Sequence, residues 1–487
     1  MICLDNKLIS DIGLSFVFDK LDIKTPYGKE QLGKLRPFTQ SDNAILNGEL
    51  DNIGILIDNH NGVLFAKIAQ ILPQFKEIRP IIERCSGTDH VPDEVELFEL
   101  KNFLISLEEL AKTISPMDCL SRLSRQMPGA MTGALDLLDS TGSRLRSFFI
   151  PDSQTQKLKS IREVKRRLEA AIISEEREEE KKLLRDKRLL IVCEEEDEEL
   201  LIRREFKKGI NIYRDDFLAN ASAIGYLDLL LQKVTLAKEY SCTRPIIINN
   251  EENCEVIFNE VYNPFIADIL KKRKKVFTPV SIKLRKGTCV LTGANMGGKS
   301  VALKTFTLNI ILFQMGFYVF ADEARLPIFD FIHLVYDDPE SIDKGLSTFA
   351  GEIVKLKEII NDLENGFGFI ALDEFARGTN PTEGASLVLA IARFLNEQNS
   401  ISILSTHYDK ISSEEFNNYQ VIGLKNLDHE GLKDKILAAA ENPVSLISEY
   451  MDYRLQKPDP DTSEDAPKDA INICKLLNLS GKILNLL

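Results

Sequence analysis

The chain contains no run of about 18 uninterrupted apolar residues, the length a membrane-spanning helix requires. The nearest stretch, Thr307 to Ala321, is broken by Asn309 and Gln314 and reads as a helix followed by a strand. A soluble protein without a membrane partner is therefore expected. Met1 is not followed by the basic flank and apolar core of a secretory leader, so export is not expected and the chain is assigned to the cytoplasm. Histidine is sparse, with five residues, and the eight cysteines at 3, 85, 119, 193, 242, 254, 289 and 474 include no pair at metal-ligand spacing. That scatter argues against a zinc site and for buried or free thiols in a reducing compartment. What remains is a chain of 487 residues, too long for one compact core and suited to two or three domains. Its formal net charge of −14 says little about partners, because local patches rather than totals decide nucleic-acid binding.

The densest chemistry lies in Gly293-Ala294-Asn295-Met296-Gly297-Gly298-Lys299-Ser300. Three glycines let successive backbone N–H groups converge on phosphate oxygens, and a following helix adds its positive end. The flanks suit this: Thr288 to Thr292 reads as a buried strand, and Ser300 to Gln314 holds neither Gly nor Pro. Lys299 supplies a charge to the β and γ phosphates, and the Ser300 hydroxyl suits Mg²⁺, which takes hard oxygen ligands. ATP with Mg²⁺ is the expected cofactor pair. Gly293, Ala294, Asn295, Met296, Gly297, Gly298, Lys299, Ser300 and Val301 form the expected nucleotide-binding set.

Hydrolysis needs further groups at the same edge. The apolar run Phe369 to Leu372 reads as a strand that delivers Asp373 to the metal and Glu374 as the base for the attacking water. Gly384 to Gln398 has a helical pattern, and Ile401 to Leu404 reads as another buried strand ending in Ser405-Thr406-His407. A histidine there suits contact with the γ phosphate.

Together these segments resemble the ATPase domain of the MutS family. Ser347-Thr348-Phe349-Ala350-Gly351-Glu352, after Asp337-Asp338, is similar to that family's signature segment. The resemblance implies a dimer in which Ser347 reaches the other subunit's γ phosphate, although Ser347 suits a helix N-cap equally. It also implies roles for Asn295, Lys299 and Ser300 on phosphates and metal, Asp373 and Glu374 as metal ligand and base, and His407 as sensor. Two departures stand out: Ala294 replaces the usual Pro of the loop, and Ala350-Gly351-Glu352-Ile353 replaces a Met-rich ending. Ser300 to Thr305 and Glu340-Ser341-Ile342 are closer to the second bacterial MutS subfamily than to the mismatch-binding one. Phe277, in Phe277-Thr278-Pro279, is open between stacking on adenine and core packing.

The implied fold is an α/β P-loop NTPase domain, ABC-like and MutS-type, over 239–487, preceded by a mostly α-helical core or lever domain over 1–238. Stripes at helical spacing support the helical part: Leu100, Phe103, Leu104, Leu107 and Ala111; Leu158, Ile161, Leu168 and Ile172; Leu227, Leu230, Leu231 and Val234. Leu21 to Gly28 resembles the start of the family's helical core, and Pro467 to Leu477 its closing helix after the polar linker Lys457 to Ala466.

What the ATPase acts on is less plain. The chain begins almost at the helical core, so a mismatch-reading domain is not expected. The triplets Phe75-Lys76-Glu77 and Phe258-Asn259-Glu260 are poorly placed for that task. A DNA clamp would fall at about 174–212, where Glu194 to Glu199 are six consecutive acids that read as a solvated tip and repel a polyanion. Against this stand Lys271-Lys272-Arg273-Lys274-Lys275 and the helical cations Arg162, Lys165, Arg166 and Arg167. These suit phosphates, an acidic protein surface, or plain solvation. The truncation pattern and Met451-Asp452-Tyr453-Arg454 resemble the ATPase component of the reactivase for adenosylcobalamin-dependent lysine 5,6-aminomutase. That favours a remodelling switch with a protein client, as a homodimer or a heterodimer with a second MutS-like subunit. A DNA mismatch or junction ATPase is the alternative.

Overall fold

A computed structural model describes residues 6–248, 254–293, 297–336, 348–408, 411, 415–423 and 451–458. The chain divides into two compact units, one of 1–21, 36–54 and 233–487, the other of 22–35 and 55–232. The segments 1–21 and 36–54 thus group with the sheets rather than with the helices that follow them. No helix of the described residues is long and apolar enough to cross a membrane.

Among the described residues the first unit contains ten strands: β1 (Ile246–Ile247), β2 (Glu255–Val261), β3 (Val280–Arg285), β4 (Gly287–Thr292), β5 (Glu323–Leu326), β6 (Phe331–Val335), β7 (Gly368–Asp373), β8 (Ser400–Ser405), β9 (Asn417–Gly423) and β10 (Asp452–Gln456). They form a four-stranded sheet ordered β1-β5-β2-β3 and a six-stranded sheet ordered β10-β9-β4-β8-β7-β6. The larger sheet is parallel except for β10, which runs antiparallel to β9. The strands β4, β7 and β8 are buried at every position, as expected of parallel strands covered on both faces. Each matches the expected strand to within one residue at either end.

Helix Lys299–Gln314 packs on β6, β7 and β8, and its Phe306 stacks on Phe258 of β2 with ring centroids 6.0 Å apart. It is therefore buried nearly all round. That explains the apolar stretch and its two interruptions. The Asn309 amide donates to the carbonyls of Thr305 (3.0 Å) and Tyr262 (3.2 Å), and its oxygen accepts from Phe320 N at 2.8 Å. Gln314 donates to the carbonyls of Phe38 and Phe329, at 2.7 and 2.8 Å. Both amides are satisfied, which removes the penalty of burying them. Beyond this helix the chain makes only an isolated bridge, Thr243 with Val319, before β5. Helix Pro381–Asn396 packs on β4 and β8, and helix Thr348–Leu363 on β6 and β7.

The second unit is helical, as expected. The run Leu21 to Gly28 opens helix Pro26–Lys34, where the Thr25 side chain caps by accepting from Gly28 N at 2.9 Å. Asp228 accepts from Thr25 N at 2.7 Å and from Thr25 Oγ1 at 2.8 Å, which ties the cap to a distant helix. Helix Glu94–Ile114 starts in a capping box between Asp93 and Glu96, and its Leu100, Phe103, Leu104 and Leu107 are buried.

Helices Gln156–Ser174 and Glu178–Ile212 form an antiparallel hairpin joined by residues 175–177. Here the structure corrects the sequence reading: Glu194 to Glu199 lie in mid-helix, not at a solvated tip. Glu195 and Glu198 are buried against the facing helix. Arg162 donates to Glu195 at 2.8 Å, to Glu199 at 2.7 Å and to Asp152 at 2.7 Å; Lys165 pairs with Glu195, and Lys157 with Glu198 at 2.9 Å. The acids are there because the opposite helix is basic. Phe75 and Phe258 are both buried, which removes either triplet as a duplex wedge.

Candidate nucleotide-binding site

Register brings the site together. In the six-stranded sheet Leu291 of β4 pairs with Ser405 of β8, and Ser405 pairs with Asp373 of β7. The loop after β4, the acids after β7 and Thr406-His407 after β8 therefore emerge at one carboxyl edge, where open parallel sheets place ligands.

Two loop positions demand glycine. Gly293 has φ +141° and a Cβ there would come within 3.0 Å of Val421 Cβ on β9. Gly298, which precedes the helix, has φ +83° and a Cβ would meet Tyr453 Cδ1 of β10 at 3.0 Å. Lys299 opens the helix with its side chain only 3% exposed. Its amine donates to the Gly293 carbonyl at 2.8 Å and lies 3.6 Å from Glu374 Oε1. Burial lowers the Lys299 pKa from its usual value, while the carboxylates of Glu374 and Asp373 pull the other way. Ser300 and Val301 follow on the same helix, partly exposed. Ala294, Asn295 and Met296 lie outside the described residues, as do Asp337, Asp338 and Ser347.

Asp373 ends β7 and is buried. Ser405 donates its hydroxyl to Asp373 Oδ1 at 2.5 Å and accepts the Glu374 N–H at 3.1 Å; the Ser405 carbonyl accepts the same N–H at 3.2 Å. Glu374 sits at φ +45°, a conformation that costs a non-glycine residue about 1–3 kcal/mol and is characteristic of functional sites. Its Oε2 accepts from Arg377 at 2.9 Å, so the carboxylate lies between Lys299 and Arg377. The turn that follows is fixed on both sides. Glu352 accepts from Ala376 N at 3.0 Å, and Tyr408 donates to the Ala376 carbonyl at 2.9 Å. A Cβ on Gly384 would lie 2.3 Å from the Tyr408 hydroxyl, so a side chain there would displace that hydroxyl from the Ala376 carbonyl.

His407 is exposed at the same edge, its ring 4.5 Å from that of Tyr408. Phe277 is partly buried in the connection leading to β3. Ser405, Glu352 and Tyr453 were not among the expected site residues. Each lies in a segment the sequence singles out, Ser405 before Thr406-His407, Glu352 in the signature-like run and Tyr453 in Met451-Asp452-Tyr453-Arg454, but no role attaches to it there.

The donor set suits Mg²⁺ of the nucleotide-dependent kind. Ser300 and Asp373 offer hard oxygens, and Ser405 satisfies just one Asp373 oxygen. Among the described residues no group of three or more His, Cys, Asp or Glu forms a protein-only metal cage. A metal completed by phosphate and water needs none.

Residues 289–441 match the family model described as MutS domain V. Over this segment the chain is similar to the MutS family. The chain is similar to proteins named endonuclease MutS2. That of Bacillus cytotoxicus is 31% identical over 276 residues, covering 56% of this chain and 31% of the relative. Those of Acetivibrio thermocellus and Ligilactobacillus salivarius are 30% and 32% identical over 202 and 216 residues, covering 41% and 44% of this chain and 24% and 26% of theirs. The chain therefore spans between a quarter and a third of the length of these relatives.

Proposed function

We propose that this chain is an ATP-hydrolysing switch of the MutS kind that works as a dimer. The observation that supports the reading best is the convergence of Lys299, Asp373, Glu374 and Ser405 at the sheet edge that also bears the glycine loop. The loop N–H groups and the start of helix Lys299–Gln314 cradle the phosphates, and Lys299 turns its amine from Glu374 to the β and γ oxygens. Glu374 orients the attacking water and takes its proton as the new P–O bond forms and the bond to the β phosphate breaks. Ser405 keeps the Asp373 carboxylate and the Glu374 backbone in fixed register. Mg²⁺, held by Ser300 and Asp373, supplies charge neutralisation on the phosphates when bound. Asn295 on the phosphates, His407 as γ-phosphate sensor, Phe277 at adenine and Ser347 acting from the second subunit complete the reading. Its parts are a lever core over 1–238, of which 1–21 and 36–54 group with the sheets, and an ATPase over 239–487.

For the client, the relatives bring a nucleic-acid duplex nearer than an aminomutase. The exposed cations of Lys271, Arg273 and Lys274 suit phosphate contact, while Lys272 pairs with Asp268 at 2.7 Å. A protein client is the second reading, and one observation favours it. The hairpin cations Arg162, Lys165 and Arg166 are taken by Glu195, Glu199 and Asp152 and so are not left to neutralise phosphates.

Two experiments test this. ATP turnover with Mg²⁺ should vanish in Lys299→Ala, and a Ser347→Ala defect should be relieved by mixing with a subunit intact at Ser347 but disabled at Lys299. Binding to plain, branched and mismatched duplex across a salt series then decides the client. Structure-selective binding at near-physiological salt supports nucleic acid, whereas equal weak binding to all three supports a protein.

A further inference from the structure

The long helix Glu178–Ile212 carries a second stripe besides the one it packs with. Its inward face is Glu195, Glu198, Ile202, Phe206 and Ile210, all buried. Leu183, Lys187, Leu190, Glu194, Asp197 and Leu201 recur at alternating spacings of four and three, the period of a coiled-coil seam. All six are exposed, the leucines at 55%, 66% and 49%. Among the described residues neither Lys187 nor Asp197 makes an ion pair, although Asp197 feels the charge of Lys157.

The order of these residues is self-complementary. Reversing the helix about position 192 exchanges Leu183 with Leu201, Lys187 with Asp197, and Leu190 with Glu194. We propose that this stripe is a two-fold interface on which a second copy of the chain pairs antiparallel. Leu183 then meets Leu201 of the second copy, Lys187 meets its Asp197, and Leu190 covers the methylenes of its Glu194. Each contact occurs twice, as an isologous interface requires. A parallel pairing would instead set lysine on lysine, glutamate on glutamate and aspartate on aspartate, so charge selects the antiparallel arrangement. The inference does not rest on the nucleotide reading, since none of these residues belongs to that site.

The test uses the whole chain without nucleotide, followed by sedimentation velocity over a range of concentrations. Wild type is expected to form a dimer that Lys187→Glu or Asp197→Lys weakens by about tenfold or more, because each places like charges opposite one another twice. The double variant K187E/D197K restores the complementary pair and should dimerise nearly as well as wild type. A wild type that stays monomeric throughout, or a double variant as weak as the single ones, would overturn the proposal. Geometry is checked in a Cys193→Ser, Cys3→Ser, Cys474→Ser background; among the described residues Cys193 is the exposed native thiol. Leu183→Cys with Leu201→Cys should oxidise to a covalent dimer, whereas dimers from Leu183→Cys alone would indicate the parallel arrangement and contradict the seam.

Discussion

The amine of Lys299 lies 3.6 Å from Oε1 of Glu374, so the cation of the phosphate loop and the carboxylate assigned as base hold each other. The lysine is held at a cost. Lys299 is buried enough that its pKa is lowered in spite of two nearby carboxylates. A lysine depressed in the folded state costs stability wherever it remains charged, and the cost fades as pH rises through its folded pKa towards the usual lysine value of 10.5.

Lys299→Met should therefore stabilise the nucleotide-free protein by about 1 kcal/mol at neutral pH while abolishing ATP binding. The gain over wild type should shrink in alkali. Thermal melts at several pH values beside an ATP titration check both halves.

Ser405→Ala removes the donor to Asp373 but leaves the Ser405 carbonyl to accept from Glu374 N. The expected cost is about 1–2 kcal/mol of stability, since the buried carboxylate loses a partner. Turnover should fall with a raised Mg²⁺ requirement, read from ATPase rates over a Mg²⁺ series. Ser405→Thr should recover most of it.

Gly298→Ala meets two obstacles, φ +83° and the Tyr453 ring at 3.0 Å. It should destabilise by about 1–2 kcal/mol. Adding Tyr453→Ala should relieve only the steric part, leaving the backbone strain. Melting temperatures of the two single variants and the double variant separate these contributions.

Arg162→Ala removes a hub shared by Glu195, Glu199 and Asp152, with an expected cost of about 2 kcal/mol. Burial pushes the Glu195 pKa up, but Lys165 and Arg162 outweigh it and the net shift is downward. A carboxylate depressed on folding contributes stability that is present above its usual value of 4.5 and lost as pH falls through the folded pKa. The hairpin should therefore loosen in acid, and the wild-type advantage over Arg162→Ala should narrow there. Helical circular dichroism from pH 7 to 3 follows this.

The nucleotide edge was legible because local rules dominate there. Glycines with positive φ, an apolar strand ending in acids, and a helix without Gly or Pro each carry their meaning within a few residues. The strands β4, β7 and β8 and helix Lys299–Gln314 fall where the pattern puts them. The hairpin was less legible. Six acids in a row signal solvent by themselves, and only the facing Lys157, Arg162 and Lys165, some 30 to 40 positions earlier, turn two of them inward. Tyr453 and Glu352 stand in segments the sequence singled out, but their roles escaped for the same reason: each reaches the site from an element remote in sequence, and a single tyrosine or glutamate carries no periodicity to reveal its contact.

The most direct measurement is a single-turnover ATP assay on Glu374→Gln beside equilibrium ATP binding. The account expects binding within a few-fold of wild type and hydrolysis slower by about two to four orders of magnitude, since only the group that takes the proton from water is lost. Hydrolysis at the wild-type rate by Glu374→Gln would contradict it.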